Sequence, residues 1–524
     1  MEIVVTGPVE ESGLDALTDA GHDVRTVDTS ADLATVIDSA DALIVGGDVT
    51  VSTEVFERAT DLQIVGRAGI DVGSIDVAAA TEHGVVVANA PEATVRSIAE
   101  YTVGMLFATA RGIPQGHAKL TDDGYWAKGD ILGSELEGKT AGLVGFDDIA
   151  QEVAKRLDNL GVDLVIHAPE TSDDRLERIG AESVDRETCL DQADFLSLHA
   201  NPGDIAQLGE PAFETLGEGY LINCGDATLL DEEALADAVS DGPLRGAALD
   251  AVTTEPLPED SPLRDVEDVI VTPGVAASTV SATESVSTVI ARQVLAAFED
   301  DPVENAVNVP AIAPDKYPTI RPYADLAETA GRIALQLFDD DVESIEVSYA
   351  GEIASEDVDP ITASAVAGVL DSLGFDVNAI NARQVADNEG IDVETVIEHE
   401  TPDYRSLVTL TVRGSGTELN VEGTQFANGD PRIVRIDEYR VEAVPHGYML
   451  IVRNADAPGV IGYIGTVLGD HDVNIAGMFN SREAIGGKAL SVYNLDSRPT
   501  DAVLDVLHDD DRILETTVVE LNGL

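Results

Sequence analysis

At 524 residues, with 99 acidic against 30 basic side chains and a formal net charge of −69, the chain is too long for one hydrophobic core and too acidic for a nucleic-acid-binding surface. Hydrophobic residues make up 44% and the acids are dispersed through periodic segments, so the chain is globular rather than disordered; no apolar run approaches the ~20 residues of a membrane helix. The two cysteines, Cys189 and Cys224, lie inside apolar segments, which excludes a disulfide framework and points to a reducing, cytoplasmic setting.

The chain opens directly on a strand and a helix, "MEIVVTGPVEESGLDAL", so no signal peptide is expected. Up to about residue 95, short strands ("EIVVTG", "ALIVGG", "LQIVGRAG", "GVVVANA") alternate with helix patterns. A second alternating series runs from about 97 to 285 through "KTAGLVGF", "VDLVIHAP", "DFLSLHAN", "GYLINCG", "GAALDAV" and "VIVTPG". Strand and helix at this spacing predict two doubly wound parallel sheets of the Rossmann type with right-handed crossovers. The amphipathic stretch "TESVSTVIARQVLAAFEDD" is placed to return the chain to the first domain, and Pro302 and Pro310 flank a linker. Beyond it "SIEVSYAGEI", "SLVTLTVRG", "LNVEGTQF" and "RIVRIDEYRVEAV" alternate with period two, an antiparallel signature in an α+β region. The final 80 residues read strand, helix, strand, strand, helix, strand, which is the ferredoxin-like order. The predicted domains are therefore 1–96 with 286–308, 97–285, 309–444 and 445–524.

One stretch in the second series is at odds with its own framework. "GLVGFDDIAQEVAKRL", residues 142–157, has the strand–turn–helix pattern that holds a dinucleotide pyrophosphate, with Ile149, Val153, Leu157 and Leu160 on one helix face. Asp147 and Asp148 stand where a glycine and room for phosphate are expected. A carboxylate there can satisfy the free N–H groups of the helix, so Asp147 or Asp148 is expected to do internally what phosphate does elsewhere. No HExxH, CxxC, GxSxG or P-loop occurs, which leaves zinc-protease, thiol-redox, serine-hydrolase and NTPase chemistry without support.

Four stretches, "VGRAGIDVGSIDVAAATEHGVVVANAPEATVRSIAEYTVGML", "ELEGKTAGLVGF", "INCGDATLLDEEALADAV" and "GAALDAVTTEPL", resemble the D-3-phosphoglycerate dehydrogenases, within the D-isomer-specific 2-hydroxyacid dehydrogenases. The C-terminal half resembles the long form of that family, with an intervening domain and an ACT regulatory domain at "RNADAPGVIGYIGTVLGDHDVNIAGM". The resemblance implies NAD as cofactor, 3-phosphoglycerate as substrate, a place at the entry to serine biosynthesis and inhibition by serine. Lysine-poor, dispersed acidity also resembles the proteins of salt-loving archaea; only six lysines are present.

At the chemical positions the chain departs from that family. The substrate arginine of "NCARGG" is Asp226 in "NCGDAT", and the histidine of "TPHLGAS" is Gly274 in "TPGVAAS". Glu255 of "TTEP", which supports that histidine in relatives, is retained. The family's cofactor positions fall on Gly145, Asp148, Ile149, Cys224 and Asp250, but the turn "GLGRIG" has become "GFDDIA" and the ribose acid is Ala168. Gly46 replaces the arginine of "LIVRS", the "GVGVDN" segment has changed around Asp71 and Gly73, and the asparagine of "EGN" is Thr94. Arg67, Arg96, Lys128, His117 and His199 are the nearest candidates for substitute groups, and each reads more simply as structural.

The ACT-like segment is not eroded in this way: Asn454, Asp456 and Asn474 match positions that bind an amino-acid effector, with Asp456 suited to its ammonium and Asn474 to its carboxylate. ACT domains usually pair side by side. Two functions therefore stand open. One is a family member without hydride transfer that keeps serine or another amino acid as ligand, as a homo-oligomer or a hetero-oligomer with an active paralogue. The other is a working NAD-dependent D-3-phosphoglycerate dehydrogenase with an altered site. Neither reading involves a membrane or nucleic acid.

Overall fold

The computed structural model describes residues 1–524 apart from 8, 29, 48, 71, 123, 127, 128, 202, 300, 310, 311, 313–315, 399–402 and 522–524, so Asp71, Lys128 and Pro310 fall outside the description. The chain divides into two compact units, Met1–Pro8 with Ala16–Asn89 and Ile290–Leu524, and Val9–Asp15 with Ala90–Val289. No helix among the described residues is long and apolar enough to cross a membrane.

The first unit begins with a five-stranded sheet in the order Asp23–Val27, Glu2–Thr6, Ala42–Val45, Ile64–Arg67, Val86–Ala88, every pair parallel. Numbered along the chain this is 2-1-3-4-5, the flavodoxin-like doubly wound order. Ala42–Val45 is buried along its whole length, as a strand covered by helices on both faces requires. Ile290 and Val294 of the returning helix lie against Gly66 of this sheet, and the Gln293 amide donates to the Asn89 carbonyl at 3.1 Å. The expected linker is not a loose tether. Asn308 accepts from the Val87 N–H at 2.8 Å and donates to the Val85 carbonyl at 2.8 Å, while the Val307 N–H donates to Val87, so the segment is stitched to the sheet edge.

Further along the same unit a six-stranded sheet runs Asp392–Glu398, Ser344–Gly351, Ser406–Arg413, Glu418–Gln425, Pro431–Ile436, Tyr439–Ala443. The first pair is parallel, and its outer strand, Asp392–Glu398, is not among the strands read from the sequence; helices Asp359–Ser372 and Ala382–Glu389 carry the chain back before it. The other pairs are antiparallel. The last sheet is antiparallel in the order Ile475–Arg482, Lys488–Leu495, Gly447–Ala455, Ile513–Leu521, with helices Val460–Asp470 and Asp501–His508: the ferredoxin-like arrangement.

Its two faces have different tasks. Leu450, Val452 and Tyr493 point to the helices and pack with Ile464, Leu468 and Leu507. Met449, Ile451, Leu490 and Val492 instead join Ile345, Leu410, Val421 and Ile436 of the six-stranded sheet in one core. The Gln336 amide completes the join by exchanging two hydrogen bonds with the backbone of Glu520, at 2.9 and 3.2 Å.

The second unit holds seven parallel strands in the order Val269–Val271, Gly246–Leu249, Tyr220–Asn223, Phe195–Leu198, Thr140–Val144, Asp163–His167, Glu182–Ser183. In chain order this is the Rossmann arrangement, with its switch point between Thr140–Val144 and Phe195–Leu198, where ligands bind in such sheets.

Helices Tyr317–Leu337 and Asp359–Ser372 cross with glycine against backbone. A Cβ on Gly331 would stand 2.5 Å from the Ala365 carbonyl, and one on Gly368 would collide with that of Glu328. Gly368→Ala should therefore cost about 1–3 kcal/mol as an overpacked contact. Gly465→Ala, in helix Val460–Asp470 with open space around it, should instead stabilise by about 0.5–1 kcal/mol. Denaturant midpoints of the two variants, moving in opposite directions, would check both.

Candidate functional site

The switch point is shaped by two residues. Strand Thr140–Val144 ends at Gly145, whose φ is +92° and whose missing Cβ lets the chain pass the backbone of His199 and Ala200. The first glycine of the motif is thus required by the neighbouring strand, whether or not a cofactor binds. Asp147 then caps helix Asp148–Asn159, its carboxylate accepting the Ala150 N–H at 2.7 Å. Of the two candidate aspartates the cap is Asp147. Asp148 is the first helical residue, accepts from the Gln151 amide at 2.8 Å, and stands 4.0 Å from Arg175, whose guanidinium lies over the Phe146 ring.

The charges at the turn are the two carboxylates and Arg175 beside Asp148. Asp147 is 46% exposed, and its partial desolvation raises its pKa against the lowering effect of the Ala150 N–H. The nearest group of basic type is His199, 3.9 Å away, which burial pushes down to about 4; it is neutral at pH 7 and hydrogen-bonds Ser197 at 2.9 Å. No counter-charge stands behind the carboxylate from that side. Ile149 is half-buried against the core, and the ribose-acid position, Ala168, is a buried methyl just past strand Asp163–His167.

The chemical positions follow the same logic of internal satisfaction. The buried Asn223 donates to the Asp226 carbonyl at 2.8 Å and accepts from the Gly225 N–H at 3.1 Å, which fixes the turn after its strand. Asp226 caps the short helix Ala227–Leu229 through the Thr228 N–H at 2.7 Å and also takes the Thr228 hydroxyl. Burial pushes the Cys224 thiol up to about 12, so no thiolate nucleophile forms there at neutral pH. Asp250, a cofactor position in the resemblance, spends its carboxylate on the loop beyond, accepting from the Thr272 hydroxyl at 2.6 Å and from the Val275 and Ala276 N–H groups at 3.0 and 2.7 Å.

That loop carries Gly274, at φ +66°. A Cβ there would stand 4.0 Å from a Glu255 carboxylate oxygen, with nothing but Asp250 backbone nearby. The structure thus brings Asp250, Gly274 and Glu255 together and leaves a carboxylate facing a residue with no side chain.

The remaining candidates lie as follows where described. Arg67 donates to the Val45 carbonyl at 3.1 Å, bracing the neighbouring strand, and Gly46 follows that strand, its N–H bonded to Thr6. Thr94 is buried at the start of helix Val95–Ala110, and its hydroxyl returns to the Pro91 carbonyl. His117 and Arg96 are exposed. Sequence reasoning missed Asn223 and the Phe146–Arg175 stack; a buried-strand asparagine just before a Gly-Asp pair was the available signal for the first.

In the ferredoxin-like sheet, Asn454 is buried and accepts from Ser491 at 3.1 Å. The Asp456 carboxylate already holds Arg482 at 3.1 Å and the Gly486 N–H at 2.9 Å, and these bonds, the backbone one foremost, depress its pKa. Asn474 donates to Asp496 at 2.7 Å. Asp456 and Asn474 flank opposite ends of strand Lys488–Leu495, because the Asp456 N–H bonds Gly487 and the Asp496 N–H bonds Asn474. At ~3.3 Å per residue that is roughly 25–30 Å. One chain does not bring them together.

With the geometry in view, comparison with known proteins is informative. The family model described as "D-isomer specific 2-hydroxyacid dehydrogenase, NAD binding domain" matches residues 103–276, and "D-3-phosphoglycerate dehydrogenase intervening domain" matches 319–437. The D-3-phosphoglycerate dehydrogenase of Archaeoglobus fulgidus is 34% identical over 99% of this chain and 100% of its own length. That of Methanocaldococcus jannaschii is 35% identical over 99% and 100%. A solved 2-hydroxyacid dehydrogenase from Ketogulonicigenium vulgare is 29% identical with a TM-score of 0.51, covering 58% of this chain and 98% of its own. A D-isomer specific 2-hydroxyacid dehydrogenase from Lactobacillus delbrueckii in its NAD-complexed form shares the fold at 21% identity, TM-score 0.51, over 59% and 100%.

Asp147→Ala should cost about 1 kcal/mol by removing the cap. Asp147→Asn, which keeps the cap without the charge, should melt at or above the native chain at neutral pH. The sign follows from the raised pKa: the fold favours the protonated carboxyl, a benefit present at low pH and lost as the pH rises through the folded value. His199 acts oppositely. Its depressed pKa means its share of stability is intact above pH 6.5 and falls as the pH drops toward about 4. That loss amounts to roughly 3 kcal/mol in all. Urea unfolding at stepped pH should show this slope and its flattening in His199→Gln.

Proposed function

The chain belongs to the D-3-phosphoglycerate dehydrogenase family, whose work is in serine biosynthesis, and from that premise we propose that this member has given up hydride transfer and serves as an oligomeric regulator that binds serine or another amino acid. The observation that carries the reading is the Asp147 cap, a fixed carboxylate inside the turn where relatives receive a pyrophosphate. At about 4 Å from a phosphate oxygen such a charge costs about 4 kcal/mol at an effective dielectric near 20, close to a thousandfold in affinity. NAD, when bound, would supply the hydride acceptor. Two of the residues at its positions do not fit it: Asp147 is charged against the phosphates and Ala168 cannot hold the ribose, while Asp250 is retained. At the substrate end Asp226 would repel a carboxylate, and Gly274 can neither take nor give a proton.

The regulatory half of the reading rests on Asn454, Asp456 and Asn474 in the ferredoxin-like, ACT-type sheet. Asp456 is ionised and faces Arg482, an arrangement that an amino acid's ammonium and carboxylate could share. The partner is a second copy or an active paralogue.

A second reading has a specific observation in its favour. Similarity to enzymes of this name runs end to end, and the NAD-binding family model matches across residues 103–276, so an active NAD-dependent dehydrogenase with an altered site remains the alternative.

NADH titration by calorimetry in molar KCl separates the two. The regulator shows no heat of binding up to millimolar NADH, and Asp147→Gly gains at least tenfold in affinity. Reduction of NAD by 3-phosphoglycerate at a rate comparable to a relative's would establish the enzyme instead. For the effector, millimolar serine should raise the melting temperature, and Asp456→Asn should abolish that shift; an unchanged melting curve in the native chain would leave assembly as the sheet's only role.

A further inference from the structure

Glu255 is a chemical residue that the regulatory reading leaves unused. It is exposed, and among the described residues it makes no hydrogen bond and no ion pair. The imidazole that would face it in relatives is absent at Gly274, where a side chain would begin only 4.0 Å from its carboxylate. Beside it lies a groove of about 480 Å³ with walls of Val252, Pro256, Leu257, Val271 and Pro273. That volume falls within the roughly 300–1,000 Å³ of small-molecule sites, which combine apolar walls with a few placed polar groups.

Three features decide what the groove can hold. Its one other polar side chain, Thr272, has its hydroxyl committed to Asp250 at 2.6 Å. Arg264, the cation on the adjoining loop, is turned to the Leu257 and Pro258 carbonyls at 2.6 Å each, which fixes the groove wall and leaves Glu255 without an internal counter-charge. A single carboxylate supplies too few oxygens for calcium or magnesium, which need about six. We infer that Glu255 and this groove form a subsite for a small organic cation, a primary ammonium carried on an apolar body. The ammonium pairs with Glu255 in a charge-assisted hydrogen bond, and the body covers the aliphatic walls. The site lies wholly within the second unit and goes beyond the proposed regulatory role, since it needs neither the dinucleotide turn nor the ferredoxin-like sheet.

The test uses the full chain in molar KCl, with phenethylammonium as probe and 3-phenylpropionate as its charge-reversed counterpart, followed by calorimetry and by chemical-shift changes in a sample labelled at valine and leucine methyls. Phenethylammonium should bind saturably in the millimolar range or tighter, shift the methyls of Val252, Leu257 and Val271, and lose at least tenfold in affinity in Glu255→Gln. Leu257→Ala, which leaves the carboxylate in place, should weaken binding several-fold. The inference is overturned if 3-phenylpropionate binds equally well, if Glu255→Gln leaves the affinity unchanged, or if no binding is seen at 20 mM probe. None of these outcomes depends on whether NADH binds, so failure here leaves the proposed function standing, and the reverse also holds.

Discussion

The free N–H groups at the start of an α-helix must be satisfied, and in a Rossmann sheet the first such helix points them at the switch point. In this chain the donor at Ala150 is answered by Asp147, three residues earlier on the same strand-to-helix turn. Much of the site follows from that one hydrogen bond. The turn is closed by its own carboxylate, and His199, 3.9 Å from it, is neutral at pH 7. Asp226 and Asp250 repeat the pattern. Each is a carboxylate that accepts backbone N–H groups, Asp226 within its own turn and Asp250 from the distant loop at 275 and 276. An acid-rich chain has many aspartates available for such caps, and the geometry indicates where they were used.

The second organising feature is the core shared between the six-stranded sheet and the ferredoxin-like sheet. Met449, Ile451, Leu490 and Val492 are fully or nearly fully buried there, so the terminal domain is anchored by a face rather than hung on a tether. The Gln336 amide pairing with the Glu520 backbone supplies the polar counterpart of that contact. Strain or ordering in one sheet can therefore reach the other through packed side chains, which is the physical substrate a regulatory domain needs.

Much of this was legible in the sequence, for identifiable reasons. Strong strand–helix alternation in the first half and period-two patterning later gave the order of the sheets, because burial on both faces and on one face leave different traces. The need for a capping carboxylate at 147 or 148 could be read from the motif; which of the two could not, since the choice depends on the φ and ψ of a single residue. Strand Asp392–Glu398 was not read at all, because none of its residues is fully buried and its apolar alternation is weak. The loop bonds of Asp250 were not legible: its partners at 272, 275 and 276 are more than twenty residues away and meet it only after the sheet has formed. The stitching of the linker by Asn308 was likewise invisible, because the residues it bonds lie over 200 positions upstream.

The placement of Asp456 and Asn474 at opposite ends of one strand has a kinetic and stoichiometric meaning. Under the proposed regulatory role, a molecule of a few atoms that requires both would be clasped by two chains at once, which would make occupancy and self-association a single linked equilibrium. Sensitivity to the small molecule then varies with how much protein is around, and a cell could tune its response simply by changing expression.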